Sequence, residues 1–97
     1  MKPLTYHPDA SDEIDEAYTW YAMRSTQAAD GFYEELFPAV DMVRRQPGIF
    51  PAYLHGTRRI VLDRYPFSVV FRELPRKIQI VAAAHAKRLP GYWAKRL

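Results

Sequence analysis

The chain contains no cysteine, only four glycines among 97 residues, and no long uncharged apolar run. Without cysteine there can be no disulfide framework, no thiol nucleophile and no thiolate metal site. A membrane-spanning helix needs roughly 18–20 consecutive apolar residues, and none of the runs approaches that length. The opening Met-Lys-Pro-Leu-Thr-Tyr-His-Pro-Asp has no apolar core of the kind a secretory signal carries, so a cytoplasmic domain is expected. What is present argues against disorder. Hydrophobic residues make up 48% and aromatics 14%, enough for one real core. A single domain over residues 1–97 follows, since domains cluster at about 100–150 residues.

The net charge of +3 conceals a strong asymmetry. Residues 1–49 hold four bases and nine acids, a balance of −5, whereas residues 50–97 hold ten bases and two acids, a balance of +8. Either the second half meets an anionic partner, nucleic acid or an acidic protein segment, or the two halves pair internally.

Residues 2–7 read as a short strand with Leu4 and Tyr6 on one face, and Pro3 suits an edge position. A helix opens at Pro8-Asp9, with Asp9 or Ser11 available as cap and acids crowding its first turns. Ile14, Ala17, Tyr18 and Tyr21 form its apolar stripe, and the helix ends around residues 24–26. Ser25 or Thr26 can cap a second helix with a stripe of Ala29, Phe32, Leu36, Val40 and Val43. Gly31 and Pro38 interrupt it, and a kink near Pro38 is expected because the stripe continues in phase. The short connection predicts an antiparallel helix hairpin.

Two prolines and two glycines make 47–56 a loop. Three β-rich runs follow, 57–63, 67–74 and 77–85, joined by short connections that predict an antiparallel meander. Residues 88–97 read as a turn and a short terminal helix or strand. Parity places Ile60, Leu62, Phe67, Val69, Phe71, Ile78, Ile80 and Ala82 on one apolar sheet face, to be covered by the hairpin. Arg59, Val61, Ser68, Val70, Arg72, Gln79, Val81, Ala83 and His85 fall on the other, which no remaining element is long enough to cover. The class is α+β, ordered β-α-α-β-β-β, with the helix hairpin packed on one face of the meander sheet.

Few constellations can carry chemistry. His7, His55 and His85 have no ligand-spaced partners, so no metal or cofactor is expected. Ser11, Ser25 and Ser68 lie in no nucleophile elbow. The acids at 12–16 read as a solvated helix face. There remains a basic and aromatic set, Arg58, Arg59, Arg64, Tyr65, Arg72, His85, Lys87, Arg88, Tyr92, Trp93, Lys95 and Arg96. Such a set can hold phosphates, or run metal-free RNA cleavage in which a base activates the 2′-hydroxyl and a cation stabilises the phosphate. His85 is the natural proton-transfer group in that chemistry; otherwise it is a sheet-end histidine without function. Tyr92 and Trp93 read as plugs closing the sheet end.

The order of several segments is similar to the ParE/RelE toxin superfamily of type II toxin–antitoxin modules, which includes plasmid stabilisation proteins. These are the acidic helix ending Tyr18-Thr-Trp-Tyr21, Arg58-Arg59-Ile-Val-Leu, Tyr65-Pro66-Phe67-Ser-Val-Val-Phe, and the close from His85-Ala-Lys-Arg88 through Tyr92-Trp93 to Arg96. The resemblance implies the β-α-α-β-β-β fold and a cognate antitoxin that wraps the toxin and alone connects it to operator DNA. RelE-like members cleave messenger RNA on the ribosome. In that case His85, Arg88 and Tyr92 are the catalytic candidates here, but Val61 and Ser68 stand where bases are expected. ParE-like members poison DNA gyrase, and this non-enzymatic reading is preferred. A non-toxic operator-binding or generic nucleic-acid-binding module is the remaining alternative. Contacts to target or antitoxin are expected from Arg59, Val61, Val70, Arg72, His85, Lys87, Arg88 and Tyr92. Val61, Val70 and Val81 would offer the antitoxin an uncovered apolar strip, which Val70→Glu should disrupt.

Overall fold

A computed structural model describes all 97 residues. Strand β1 (Leu4–Tyr6) leads into helices α1 (Pro8–Ala22) and α2 (Thr26–Arg45). Strands β2 (Arg58–Val61), β3 (Phe67–Glu73) and β4 (Ile78–His85) follow. Three short 3-10 turns occupy Pro47–Ile49, Leu54–Gly56 and Ala94–Arg96. The sheet order is β1-β4-β3-β2. The expected meander is therefore confined to β2–β4, and β1 joins as an edge strand parallel to β4, aligning Leu4 with Ile78 and Tyr6 with Ile80. The helix hairpin is the crossover that makes parallel pairing possible.

Local chemistry explains most element boundaries. The cap of α1 is neither Asp9 nor Ser11. His7 adopts extended geometry, and its Nδ1 accepts from the Asp9 N–H at 3.1 Å, which leaves Pro8 in the first turn, where its missing N–H costs nothing. Ser25 caps α2 by accepting from the Ala28 N–H at 3.1 Å. The helix runs continuously through Pro38, carried by the buried stripe Ala29, Phe32, Leu36, Val40 and Val43. The two stripes meet Val69, Phe71, Ile78 and Ile80 from the sheet in the main core. Glu35 of α2 then ties down the β2–β3 turn, accepting from the Asp63 N–H at 2.6 Å and the Arg64 N–H at 3.1 Å.

Gly31 is where α2 meets that turn. The Tyr65 hydroxyl donates to the Ala28 carbonyl at 2.6 Å, and a Cβ at position 31 would collide with it. Tyr65 cannot swing aside freely, because its ring meets Tyr21 and Phe32 edge-on at 5.0 and 5.6 Å. Gly31→Ala is accordingly expected to destabilise the chain by about 1–2 kcal/mol, despite alanine's better helix propensity. Urea denaturation should show this loss, and adding Tyr65→Phe should recover part of it.

A register shift corrects the parity reading. Val70 pairs with Ala82 but Phe71 pairs with Ile80, so Val81 has no opposite number in β3. Beyond this bulge the faces of β4 exchange. Ala82 joins Val70 and Val81 on the face away from the helices, while Ala83 belongs to the helix-side core. His85 follows Ala83: it pairs with Phe67, and their rings meet edge-on at 5.1 Å.

The far face is not open. Trp93 lies on Val70, Val81 and Ala82, with Tyr53 and Tyr92 beside it, and forms a second small core. Val70 and Val81 are 1% and 0% exposed, so the expected apolar strip does not exist; only Val61, at 58%, faces solvent. The terminal segment was too short in sequence to be read as a cover. One indole and two phenols nevertheless suffice, because small alanines line the strand beneath them.

Candidate functional site

The terminal segment is fastened by a carboxylate from the opposite end of the chain. Glu13 sits on α1 between the buried alanines Ala10 and Ala17, so its side chain leaves the helix on the boundary of the packed face. Its Oε1 accepts from Arg96 at 2.8 Å and its Oε2 at 3.0 Å, a two-pronged pair in which both side chains are 14% exposed. Oε1 also accepts from the Ala83 N–H at 3.1 Å, and Oε2 from the Tyr92 hydroxyl. Arg96 donates in addition to the Val81 carbonyl at 3.0 Å. The β1–β4 ladder ends at Ile80, so these side chains satisfy main-chain groups of β4 that no strand reaches. Asp12, Asp15 and Glu16 are exposed, as expected of solvated acids; Glu13 is the exception.

This clasp fixes the chemistry of Tyr92. Burial pushes its phenol above the ordinary range, and the hydrogen bond to Glu13 and that carboxylate's charge push it further the same way. Arg96 is likewise held more firmly protonated, chiefly by its hydrogen bonds to Glu13. The Tyr92 hydroxyl is thus a committed donor to a carboxylate.

Around the clasp the structure gathers part of the predicted set. Arg59, Val70, His85, Arg88 and Tyr92 line one small depression with Tyr53, Ser68 and Trp93. The Arg59 guanidinium lies over the Tyr53 ring at 4.1 Å, and that of Arg88 over Tyr92 at 3.8 Å. The His85 ring turns toward the helix side, and its Nδ1 accepts from the Lys87 N–H at 3.0 Å, which leaves the neutral ring's proton on Nε2. Lys87 lines an adjoining groove, about 500 Å³, between α1, the start of β3 and the end of β4, where Glu13, Glu16 and Trp20 meet His85, Arg88 and Tyr92, the last three shared with the small depression. Arg72 stands apart, donating to the Gln79 side chain at 2.8 Å, and Val61 lies outside both concavities. No cluster of three or more His, Cys, Asp or Glu could hold a metal ion. No helix is long and apolar enough to cross a membrane.

Sequence reasoning missed Glu13 and Tyr53. Glu13 carried a signal, alanines at i−3 and i+4 that mark its helical face as one turned toward the protein. Tyr53 carried none, since a loop aromatic gives no hint of the arginine it supports.

The family model for the ParE toxin of the type II toxin–antitoxin system parDE matches residues 4–90. The chain belongs to that family. A chain of the solved chromosomal ParDE TA system from P. aeruginosa has the same fold, with a TM-score of 0.77 at 22% identity over 90% of this chain and 98% of that one. No curated protein matches the sequence significantly.

Proposed function

We propose that this chain is the toxin of a type II toxin–antitoxin module, arrests growth through DNA gyrase, and is neutralised by a cognate antitoxin. The observation that carries this reading over messenger-RNA cleavage is the Tyr92 hydroxyl, already donated to Glu13 and raised in pKa. A leaving-group acid must give up its proton in the transition state, and this one is stabilised in its neutral form. Val61 and Ser68, at positions where nuclease relatives carry bases, remove cations that would stabilise the phosphate; loss of one such donor costs roughly 10²–10³ in rate. Family membership supports the toxin and antitoxin roles. The toxin acts in the cytoplasm and reaches operator DNA only through its antitoxin. Val61, Lys87 and Arg88 are exposed, and Arg59 and Arg72 half-buried, so the basic half offers an acidic antitoxin segment a complementary surface.

Expression of the chain alone is expected to stop growth. Purified protein at micromolar concentration should inhibit gyrase supercoiling and leave ribosome-bound message intact. Codon-specific cleavage of that message, with gyrase unaffected, would replace this reading with the nuclease one.

A further inference from the structure

We propose that the free edge of β1 is the face through which two copies of this chain pair, around a twofold axis at Thr5. The proposal goes beyond the toxin reading and does not rest on it. The Pro3 carbonyl accepts from the Ile78 N–H, and the His7 N–H donates to the Ile80 carbonyl, both at 2.9 Å. Main-chain groups of alternate strand residues point to opposite edges, so Pro3, Thr5 and His7 face β4. Leu4 and Tyr6 therefore present their N–H and C=O groups outward, and none of these groups has a partner within the chain. The opposite edge differs. There Ala52 bridges to Arg58 of β2, whose guanidinium also donates to the Phe50 carbonyl at 2.6 Å. The usual edge protection by lysine or proline is missing at β1. Lys2 is drawn away to Glu73 and the Leu74 carbonyl, and Pro3 lacks only an N–H that would face β4.

An open edge accepts any extended segment; a second copy is selected because the patch complements itself, as an isologous interface requires. Antiparallel pairing about Thr5 sets Leu4 opposite Tyr6 of the other copy, and the exchanged N–H···O bonds use every open group on both strands. Thr5 then meets its own counterpart at a non-hydrogen-bonded position, where side chains come closest. Its Oγ1 is a buried polar atom that finds no partner in the chain. Turned about χ1, each hydroxyl can reach the other, a pairing that stabilises antiparallel strands. On the helix side the edge is flanked by a groove of about 430 Å³ lined by Pro3, Leu4, Phe37, Val40, Asp41 and Arg44. Phe37 is 43% exposed there. The groove carries both signs of charge: Arg44 has no carboxylate partner in the chain, and Asp41 is held only by the half-exposed Arg45. The twofold brings the two grooves side by side, so Phe37 of each copy packs toward the other and Arg44 faces Asp41 across the axis. A uniformly acidic or basic segment would match only one of these charges.

The test follows the folded chain at rising concentration by sedimentation and by NMR amide hydrogen exchange. Twice the chain mass of 11.3 kDa is expected at concentrations on the order of 100 μM, since so small a contact binds more weakly than a standard interface. The Leu4 and Tyr6 amides should become protected in step with the dimer, whereas that of Thr5, bonded to β4, is protected at every concentration. Phe37→Asp, at an exposed helix position that leaves the fold intact, should raise the dimer dissociation constant about a hundredfold. Arg44→Asp should raise it about tenfold, and the exchanged variant Asp41→Arg/Arg44→Asp should recover most of that loss. No recovery would mean that the charges do not meet across a twofold. A chain that stays monomeric at about 1 mM, or a dimer whose Leu4 and Tyr6 amides still exchange freely, would overturn the proposal. Protection of those amides only on addition of an antitoxin would overturn it too, and would give the edge to a strand of that partner.

Discussion

Glu13→Ala is expected to lower the unfolding free energy by about 3 kcal/mol, the range seen when one partner of a partly buried ion pair is removed. The substitution strands the Tyr92 hydroxyl and the Ala83 N–H and takes from the Arg96 guanidinium its two-pronged partner, leaving it the Val81 carbonyl and the Asp9 carboxylate at 3.7 Å. In a domain of this size that loss corresponds to a fall in Tm of roughly 15 °C. Urea and thermal denaturation would measure it. The double variant Glu13→Ala/Arg96→Ala should lose clearly less than the sum of the single losses, because the two residues act as one unit. Additive losses would mean that Glu13 does not fasten the terminal segment.

The clasp also predicts an alkaline limit. Folding raises the Tyr92 pKa above its ordinary 10.0, chiefly by burial and then through the Glu13 hydrogen bond. In the window above pH 10 the unfolded chain therefore binds fewer protons than the folded one. The stability contributed by this phenol is complete below pH 10 and is lost as pH rises toward the higher folded value. Tyr92→Phe should flatten that decline in part, leaving the share due to Tyr6, Tyr21 and Tyr33, which burial also raises.

Trp93→Ala is expected to have the largest effect of any single truncation, about 4 kcal/mol, a figure typical of removing a fully enclosed indole. Small domains are stable by only about 5–15 kcal/mol, so the variant should begin to unfold near physiological temperature. Calorimetry or denaturant titration would show it, and a loss below about 1 kcal/mol would mean that the second core contributes little. The same geometry changes the meaning of Val70→Glu. Val70 is 1% exposed beneath Trp93, so a carboxylate there is buried without a partner and unfolds the chain. Failure of that variant to bind an antitoxin would report on folding, not on a docking surface.

The sheet's chemistry was legible where a residue's neighbours in sequence decide its surroundings. Helix stripes at three- and four-residue spacing placed Ile14, Phe32, Leu36 and Val43 in the core. Ser25 was readable as a cap because its hydroxyl reaches an N–H only three residues on. Pro3 marked an edge because it cannot donate to a ladder. The segment order alone also pointed to the toxin superfamily, and the family match bears that out.

What the chain order could not decide was set by contacts between distant residues. One unpaired residue, Val81, exchanged the faces of β4 and sent His85 to the helix side, and nothing local to Ile78–His85 announces a bulge. The candidate site depends on the same distance in sequence: Glu13 and Arg96 are 83 residues apart, yet they fix Tyr92, and through Tyr92 the position of Arg88. Periodicity records which side of its own element a residue occupies. Only the packed fold decides whether that side meets solvent, a carboxylate or an indole, because that depends on where the rest of the chain comes to lie.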